Sequence, residues 1–438
     1  MRTTPTRLAA LTGAVALAAG LTACSGSDDG GGGDGGTADA TSLKLWHYES
    51  PNGAMGIAWA EAIKVFEEEH PGVTIEFEEK SFEQIQQTAG MILSSDEGPD
   101  IMEYNKGNAT TGLLSSQGLL TDITAVADER GWTDMLSPSL ATTAQYDESG
   151  VMGSGNWFGI PNYGEFVTVY YNKAMFEDAG VEVPTSLDEM VEVMDTFVAE
   201  GVTPLGMAGA EYPAGQLFYQ LTLSQVDRQW ITDYQMFTGP VDWQGPELTF
   251  GAETFAEWVD AGYVASDSAS LKAEDMGVAF INGTYPMMVS GSWWYGRLVD
   301  EIDGFEWGVF NFPGNTFNAG SSGNLWVVPT NSKAPELAYD FIDITMRPEI
   351  QAILGNNGGL PVAADPADIT DAKSQELITA FNEVLENDGL AFYPDWPVPG
   401  FYDVIVNSVQ KLINGSAEPA TVLDELGAAY DQGVANAG

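Results

Sequence analysis

The segment GIPNYGEFVTVYYNKAMFEDAG, residues 159–180, carries the most informative pattern in this chain of 438 residues. A Gly-Ile-Pro turn comes first, and apolar or aromatic residues then fill nearly every position from Phe166 to Tyr171. A short apolar run bounded by turn residues is typical of a strand buried on both faces. The pattern then favours a helix after Asn172. The segment therefore predicts a central strand that crosses from one packed body into another.

Strands and helices alternate along the chain on both sides of this segment. Ser42–Trp46 alternates as a strand, Ala54–Glu69 has helical spacing, and Val73–Phe77 alternates again. Strand, helix and strand in that order imply parallel strands joined by a right-handed crossover. The chain is too long for one ordinary core, so we predict an α/β protein with two domains.

The first residues predict an export signal. Arg2 and Arg7 precede an apolar run that is too short to cross a bilayer. Leu-Thr-Ala-Cys, which ends at Cys24, resembles a bacterial lipobox and implies lipidation of Cys24. We therefore expect a signal peptide over residues 1–23, followed over residues 24–41 by a flexible tether rich in Gly, Asp and Ser. The expected location is the extracellular face of the cytoplasmic membrane, with the lipid as anchor.

Charge and cysteine content exclude several classes of partner. The chain has 64 Asp and Glu residues against 15 Lys and Arg residues, for a formal net charge of -49. So acidic a protein is a poor partner for nucleic acid, because phosphates repel it. Cys24 is the single cysteine, which excludes an intramolecular disulfide and a cysteine-based metal site.

The sequence contains few of the residues that common catalytic motifs require. His47 and His70 are the two histidines, too few for most His-dependent triads or metal centres. Neither a nucleophile elbow nor a dinucleotide-binding fingerprint occurs. We predict no catalytic residue, no cofactor and no metal. A surface-anchored carbohydrate-active hydrolase that uses two carboxylates is the alternative, as is a binder of a non-sugar solute.

Three blocks of sequence resemble the family 1 extracellular solute-binding proteins of ABC importers. They are the segment 159–180, PDIMEYNKGNATTGLLSSQGLLTDIT at residues 99–124, and AFINGTYPMMVSGSWW at residues 279–294. With further blocks in the same order, the resemblance covers nearly all of the chain from Ser42 onward.

This resemblance implies a two-lobed periplasmic-binding-protein-like fold. Each lobe would be a mainly parallel sheet flanked by helices, with the ligand cleft between the lobes. The N-terminal lobe would comprise residues 42–158 and 322–360, and the C-terminal lobe residues 159–321 and 361–438. The implied protein is a monomer that captures a di- or oligosaccharide and delivers it to ABC permease subunits.

Aromatic and polar residues near predicted loops form a candidate saccharide site, because sugars present apolar C–H faces and rims of hydroxyls. Trp293 matches the stacking position of maltodextrin-binding members, and Trp294 beside it would face another way. Glu165 matches a sugar-binding Glu of such members, with a surface or hinge salt bridge as the alternative. The predicted ligand-binding residues are His47, Tyr48, Glu103, Tyr104, Asn105, Lys106, Asn108, Trp157, Tyr163, Glu165, Glu211, Tyr212, Trp293, Trp294, Asn324, Gly358, Trp396 and Tyr402.

Overall fold

The computed structural model describes residues 41–95 and 97–437. The predicted signal peptide, the predicted lipidation of Cys24 and nearly all of the predicted tether lie outside the described residues. Within those residues, none of the helices has both the length and the apolar character needed to cross a bilayer.

The strands are β1 (Ser42–His47), β2 (Thr74–Glu79), β3 (Ile101–Tyr104), β4 (Gln145–Tyr146), β5 (Asn156–Trp157), β6 (Ile160–Pro161), β7 (Tyr163–Asn172), β8 (Leu205–Gly206), β9 (Met287–Gly291), β10 (Trp307–Phe310), β11 (Gly320–Ser322), β12 (Leu325–Val327) and β13 (Leu360–Pro361). The helices are α1 (Ala54–Glu69), α2 (Phe82–Leu93), α3 (Leu113–Ser116), α4 (Thr124–Glu129), α5 (Trp132–Met135), α6 (Pro138–Ala141), α7 (Lys173–Ala179), α8 (Leu187–Ala199), α9 (Tyr212–Leu223), α10 (Arg228–Met236), α11 (Pro246–Asp260), α12 (Ala273–Ile281), α13 (Tyr295–Glu301), α14 (Pro335–Thr345), α15 (Pro348–Asn356), α16 (Ala372–Glu386), α17 (Phe401–Ile413) and α18 (Pro419–Ala437).

The first sheet has the strand order β2-β1-β3-β12-β6. Strands β2, β1 and β3 pair in parallel, whereas β12 pairs antiparallel with both β3 and β6. All strands of this sheet except β12 therefore run in one direction. Helix α1 packs against α14 and α15 beside this sheet.

The second sheet has the strand order β10-β7-β9-β8. Strands β8 and β9 are parallel, and β7 is antiparallel to its neighbours β9 and β10. Again one strand, β7, opposes the rest. Helix α9 packs against α11 and α17. The prediction of an α/β fold with helices flanking two sheets is confirmed, and each sheet contains one strand that runs against the others.

Strand β7 is the central strand predicted from residues 159–180. Nearly all its positions are buried, and only Tyr171 is partly exposed. Its first residues pair with β11 and β13, and its later residues pair with β9 and β10. One strand thus begins between the two sheets and ends as a core strand of the second.

The chain passes between the two sheets at three places. It leaves β6 in the first sheet at Pro161 and enters β7 at Tyr163. It returns between Ser322 in β11 and Leu325 in β12. The third passage follows α15, where β13 pairs with β7. These passages lie next to the predicted lobe limits, which stay a prediction.

Candidate functional site

A cavity of about 410 Å³ is lined by residues in or next to strands of both sheets. The loops after β1 and β3 and the start of β7 contribute to its wall, as does the segment after β9. These positions share an edge because parallel strands end together, and the reversed strands β12 and β7 begin where their neighbours end. Ligands of open α/β sheets bind at this carboxyl edge.

Lys106 joins the two sides of the cavity. Its ammonium group, in the loop after β3, donates to a carboxylate oxygen of Glu165 in β7 and, at 3.1 Å, to Oδ1 of Asn324. The ammonium also lies 5.8 Å from the ring centre of Tyr393 and 5.2 Å from that of Trp396. Only 1% of the Lys106 side chain is exposed. Burial raises the pKa of Glu165, and the ammonium opposes that rise. Removing one partner of such a buried ion pair strongly destabilises the folded state, because the other charge is then left uncompensated.

Two further acidic side chains, Glu49 and Glu103, lie beside this ion pair. The Tyr163 hydroxyl is 3.3 Å from a carboxylate oxygen of Glu49 and 3.3 Å from one of Glu103. Asn324 donates from Nδ2 to the same hydroxyl at 2.8 Å. Burial raises the pKa of Glu49 to about 7. Burial, and after it the Glu49 charge, raises the pKa of Glu103 well above its ordinary value.

The tryptophans differ in what they present to the cavity. Trp293 lines it and is only partly buried, and its ring lies 6.4 Å from that of Tyr393. Trp294 is 7% exposed and packs in the core of the second sheet. Trp396 is 2% exposed and packs against the backbone of Gly107. Trp293 therefore offers the most accessible indole face on this wall, in line with the predicted difference between Trp293 and Trp294.

A row of aromatic rings crosses the opposite side. Tyr48 contacts Phe82 with ring centres 5.2 Å apart, and Phe82 lies 5.9 Å from Tyr212. Tyr212 in turn lies 4.7 Å from Tyr402 and donates from its hydroxyl to Asp395 at 3.0 Å. Burial raises the pKa of Asp395 to about 6. The row brings rings from α2 and α9 into contact across the cavity.

Several polar atoms of the wall have no hydrogen-bond partner in the part of the chain that the structure describes. They are the Tyr48 hydroxyl, both amide atoms of Gln216 and the Ser290 hydroxyl. A buried polar group without a partner costs about 1–3 kcal/mol.

Most of the predicted site residues line this one cavity. They are Tyr48, Asn105, Lys106, Tyr163, Glu165, Glu211, Tyr212, Trp293, Trp294, Asn324, Trp396 and Tyr402. Glu211 is partly engaged elsewhere, because its carboxylate accepts from the backbone N–H of Ala273 at 2.7 Å. Contact of each of these residues with a ligand stays a prediction.

The other predicted residues are not among those that line this cavity, and their contact with a ligand stays a prediction. His47 stacks on Phe77 at 4.3 Å, and burial lowers its pKa to about 4. Asn108 donates to the Gln235 carbonyl and accepts from Met152 N–H, so it ties loops together. Tyr104 and Trp157 are core residues, Glu103 lies behind Glu49 and Tyr163, and Gly358 forms a turn against Gly296.

The sequence interpretation missed other wall residues, among them Glu49, Phe82, Gln216, Arg297 and Tyr393. Glu49 directly follows the predicted Tyr48 in the same polar loop, and this position could have indicated that Glu49 lies at the site. Gln216 and Tyr393 lie in segments whose local pattern gives no indication of a site. Among the described residues, no group of three or more His, Cys, Asp or Glu side chains is arranged to hold a metal ion.

Gly107 allows the loop after β3 to turn beneath Trp396. Its φ is +102°, and an added Cβ would lie 2.7 Å from Cβ of Trp396. We expect Gly107→Ala to lower the free energy of unfolding by about 1–3 kcal/mol, since both the backbone and the contact are strained. Gly118→Ala is the matched control, because Gly118 has a φ of +70° and open space around it. Equal losses in chemical denaturation would contradict the account of this turn.

The sequence pattern that defines the bacterial extracellular solute-binding proteins matches residues 61–380. A putative binding protein of Brucella abortus (strain 2308) is 24% identical over 409 residues, covering 90% of this chain and 94% of that protein. A probable sugar-binding periplasmic protein of Brucella suis is 31% identical over 111 residues, which is 25% of each chain.

A solved structure of a chitin oligosaccharide binding protein has a similar fold. It superposes with a TM-score of 0.77 at 21% sequence identity, covering 91% of this chain and all of that one. The two chains therefore share the same overall fold.

Proposed function

The chain belongs to the bacterial extracellular solute-binding proteins, and we propose that it captures a di- or oligosaccharide and delivers it to ABC permease subunits. The protein would act as a monomer on the extracellular face of the cytoplasmic membrane. Lipid on Cys24 would hold it there, with the tether of residues 24–41 as spacer. No covalent bond of the ligand is made or broken in this role.

The observation that carries this proposal is the combination of aromatic faces and unpartnered polar side chains around one cavity. A volume of about 410 Å³ falls within the range of about 300–1,000 Å³ that is usual for small-molecule sites. Trp293 offers a flat apolar face, while Gln216 and Ser290 offer donors and acceptors without partners among the described residues. Stacking and hydrogen bonding of this kind match the two surfaces of a sugar ring.

Cleft closure would supply the signal for delivery. Lys106 and Phe82 come from the first-sheet side and contact Glu165 and Tyr212 on the other side. A ligand that completes these contacts stabilises the closed form over an open one by its differential affinity. The permease would then recognise the closed form.

Calorimetric titration with xylo-, malto- and raffinose-type oligosaccharides tests the proposal. We expect one or more of them to bind with a stoichiometry of one sugar per chain. Chromatography of the sugar recovered after the titration distinguishes a binder from a hydrolase. Absence of heat with every member of the panel would overturn the saccharide assignment, and breakdown of the sugar would favour the hydrolase.

A further inference from the structure

The carboxyl groups of Glu49, on the wall of the cavity, and of Glu103, behind it, meet at the Tyr163 hydroxyl. Glu49 follows β1, whereas Glu103 lies in the neighbouring strand β3. A carboxylate oxygen of each side chain lies 3.3 Å from the Tyr163 hydroxyl. Ionised carboxylates are acceptors only, so one hydroxyl can bond both of them only if one of the two carries a proton.

The Tyr163 hydroxyl cannot satisfy both carboxyl groups. It has one proton to donate, and its oxygen already accepts from Nδ2 of Asn324 at 2.8 Å. The amide and the hydroxyl together therefore favour a carboxyl pair that retains one negative charge.

The other charged and titratable groups around Glu49 do not neutralise this pair. Among the described residues they are Tyr48 on the same loop, Lys106 on the loop after β3, and Glu165 in β7. The Lys106 ammonium is engaged by Glu165 and Asn324. The carboxyl groups of Glu49, Glu103, Glu165 and Asp395 thus share the surroundings of one ammonium group. Adjacent buried carboxylates cannot both ionise at low cost.

We propose that Glu49 and Glu103 share a single proton in the closed cleft, and that this pair makes the site select neutral saccharides over those that carry a carboxylate. The second part rests on the proposed function. A sugar hydroxyl donates to the shared negative charge, whereas a uronic acid group would meet a charge of its own sign. Glu49 is then a specificity-determining residue, and Glu103 is a positioning residue that acts through it.

The pair also links closure to pH. Burial raises the pKa of Glu49 to about 7, while an open cleft exposes the same carboxyl to water, where its pKa is ordinary. A raised acid pKa means that the closed form binds more protons than the open form between these two values. The closed form is therefore favoured below about pH 7 and loses this advantage as the pH rises through about 7.

Infrared difference spectroscopy of the unliganded full chain tests the shared proton without any sugar. The C=O stretch of a protonated carboxyl group is followed from about pH 5 to about pH 9, a range above the ordinary carboxyl pKa. We expect the wild type to lose part of this band near pH 7 and to keep the rest above that pH. Glu49→Gln should remove the step, and Glu103→Gln should remove the part of the band that persists above it. Asp395→Asn is the matched control, because it removes a separate buried carboxyl and leaves the step in place.

Two outcomes of this measurement would overturn the shared proton. One is a wild-type spectrum without a protonated carboxyl band above about pH 6. The other is a step near pH 7 that Glu49→Gln retains, or a band above that pH that Glu103→Gln retains. Circular dichroism of each variant shows whether it is folded, and either variant alone suffices for the comparison.

Calorimetry with matched sugars tests the selectivity. The probes are the neutral oligosaccharide that binds and the same oligosaccharide with one ring oxidised to a uronic acid. We expect the uronate to bind about 10-fold or more weakly to the wild type and this difference to shrink in Glu49→Gln. Equal affinities in the wild type would overturn the selectivity. If no neutral sugar binds, the proposed function fails, and the infrared result still decides on the proton.

Discussion

Lys106→Met is expected to lower the free energy of unfolding by about 3–5 kcal/mol, the usual cost of removing one partner of a buried ion pair. The substitution leaves the Glu165 carboxylate without its ammonium in a site where 9% of that side chain is exposed. It also removes the cation that lies near the rings of Tyr393 and Trp396. Chemical denaturation near neutral pH measures the loss.

The cause of this loss can be separated from a general effect of losing a lysine. Because a protonated Glu165 carries no charge, the loss should be smaller at about pH 5 than at about pH 8, and Glu165→Gln in the same chain should recover part of it. Lys64→Met is the control, since the Lys64 side chain is 62% exposed and pairs with Glu61 on the surface. We expect that control to stay within about 0.5 kcal/mol of the wild type. A loss in Lys106→Met as small as that of the control would show that the pair contributes little.

Trp293→Ala is expected to weaken binding of the sugar identified by calorimetry about 30-fold or more, which corresponds to about 2 kcal/mol. The indole lines the cavity and is partly exposed to it, so its truncation removes the apolar face against which a sugar ring would stack. Trp293→Phe should retain part of the affinity, because a smaller aromatic face remains.

Trp230→Ala serves as the control for this prediction. Trp230 is also partly buried, and it stacks on Tyr234 away from the cavity. Its loss should change stability without changing affinity for the sugar. If Trp293→Ala bound the sugar as tightly as the wild type, another residue would have to be the stacking platform.

The elements with strong local patterns could be predicted from the sequence. The helical spacing from Ala54 to Glu69, stopped by His-Pro-Gly, predicted the bounds of α1 as observed. The apolar run of residues 166–171 predicted β7, although the strand begins three residues earlier, at Tyr163. The polar residue Glu165 interrupts the apolar pattern near the start of the strand. Its burial depends on Lys106, which is 59 positions away in the chain, so a local pattern does not predict it.

The candidate site could be predicted only in part, for a similar reason. The loop after β3 was identified, and Asn105 and Lys106 do line the cavity. Gly107 then turns the chain with a φ of +102°, so Asn108 points to other loops. Tyr393 reaches the wall from a distant segment through tertiary packing, which local sequence patterns do not encode.

The direction of individual strands also lies beyond local patterns. Repeated strand–helix–strand units predicted parallel sheets, yet β7 and β12 run against their neighbours. This reversal places Tyr163, Glu165 and Asn324 at the edge where the other strands end. The site therefore depends on topology as much as on the residues themselves.

A crystal structure of the protein with the tightest-binding sugar of the panel tests the central claim most directly. The account predicts a sugar ring on the face of Trp293, with its hydroxyls hydrogen-bonded to Glu49, Gln216 and Ser290 inside the cavity. A sugar bound elsewhere on the protein, with this cavity filled only by water, would contradict it.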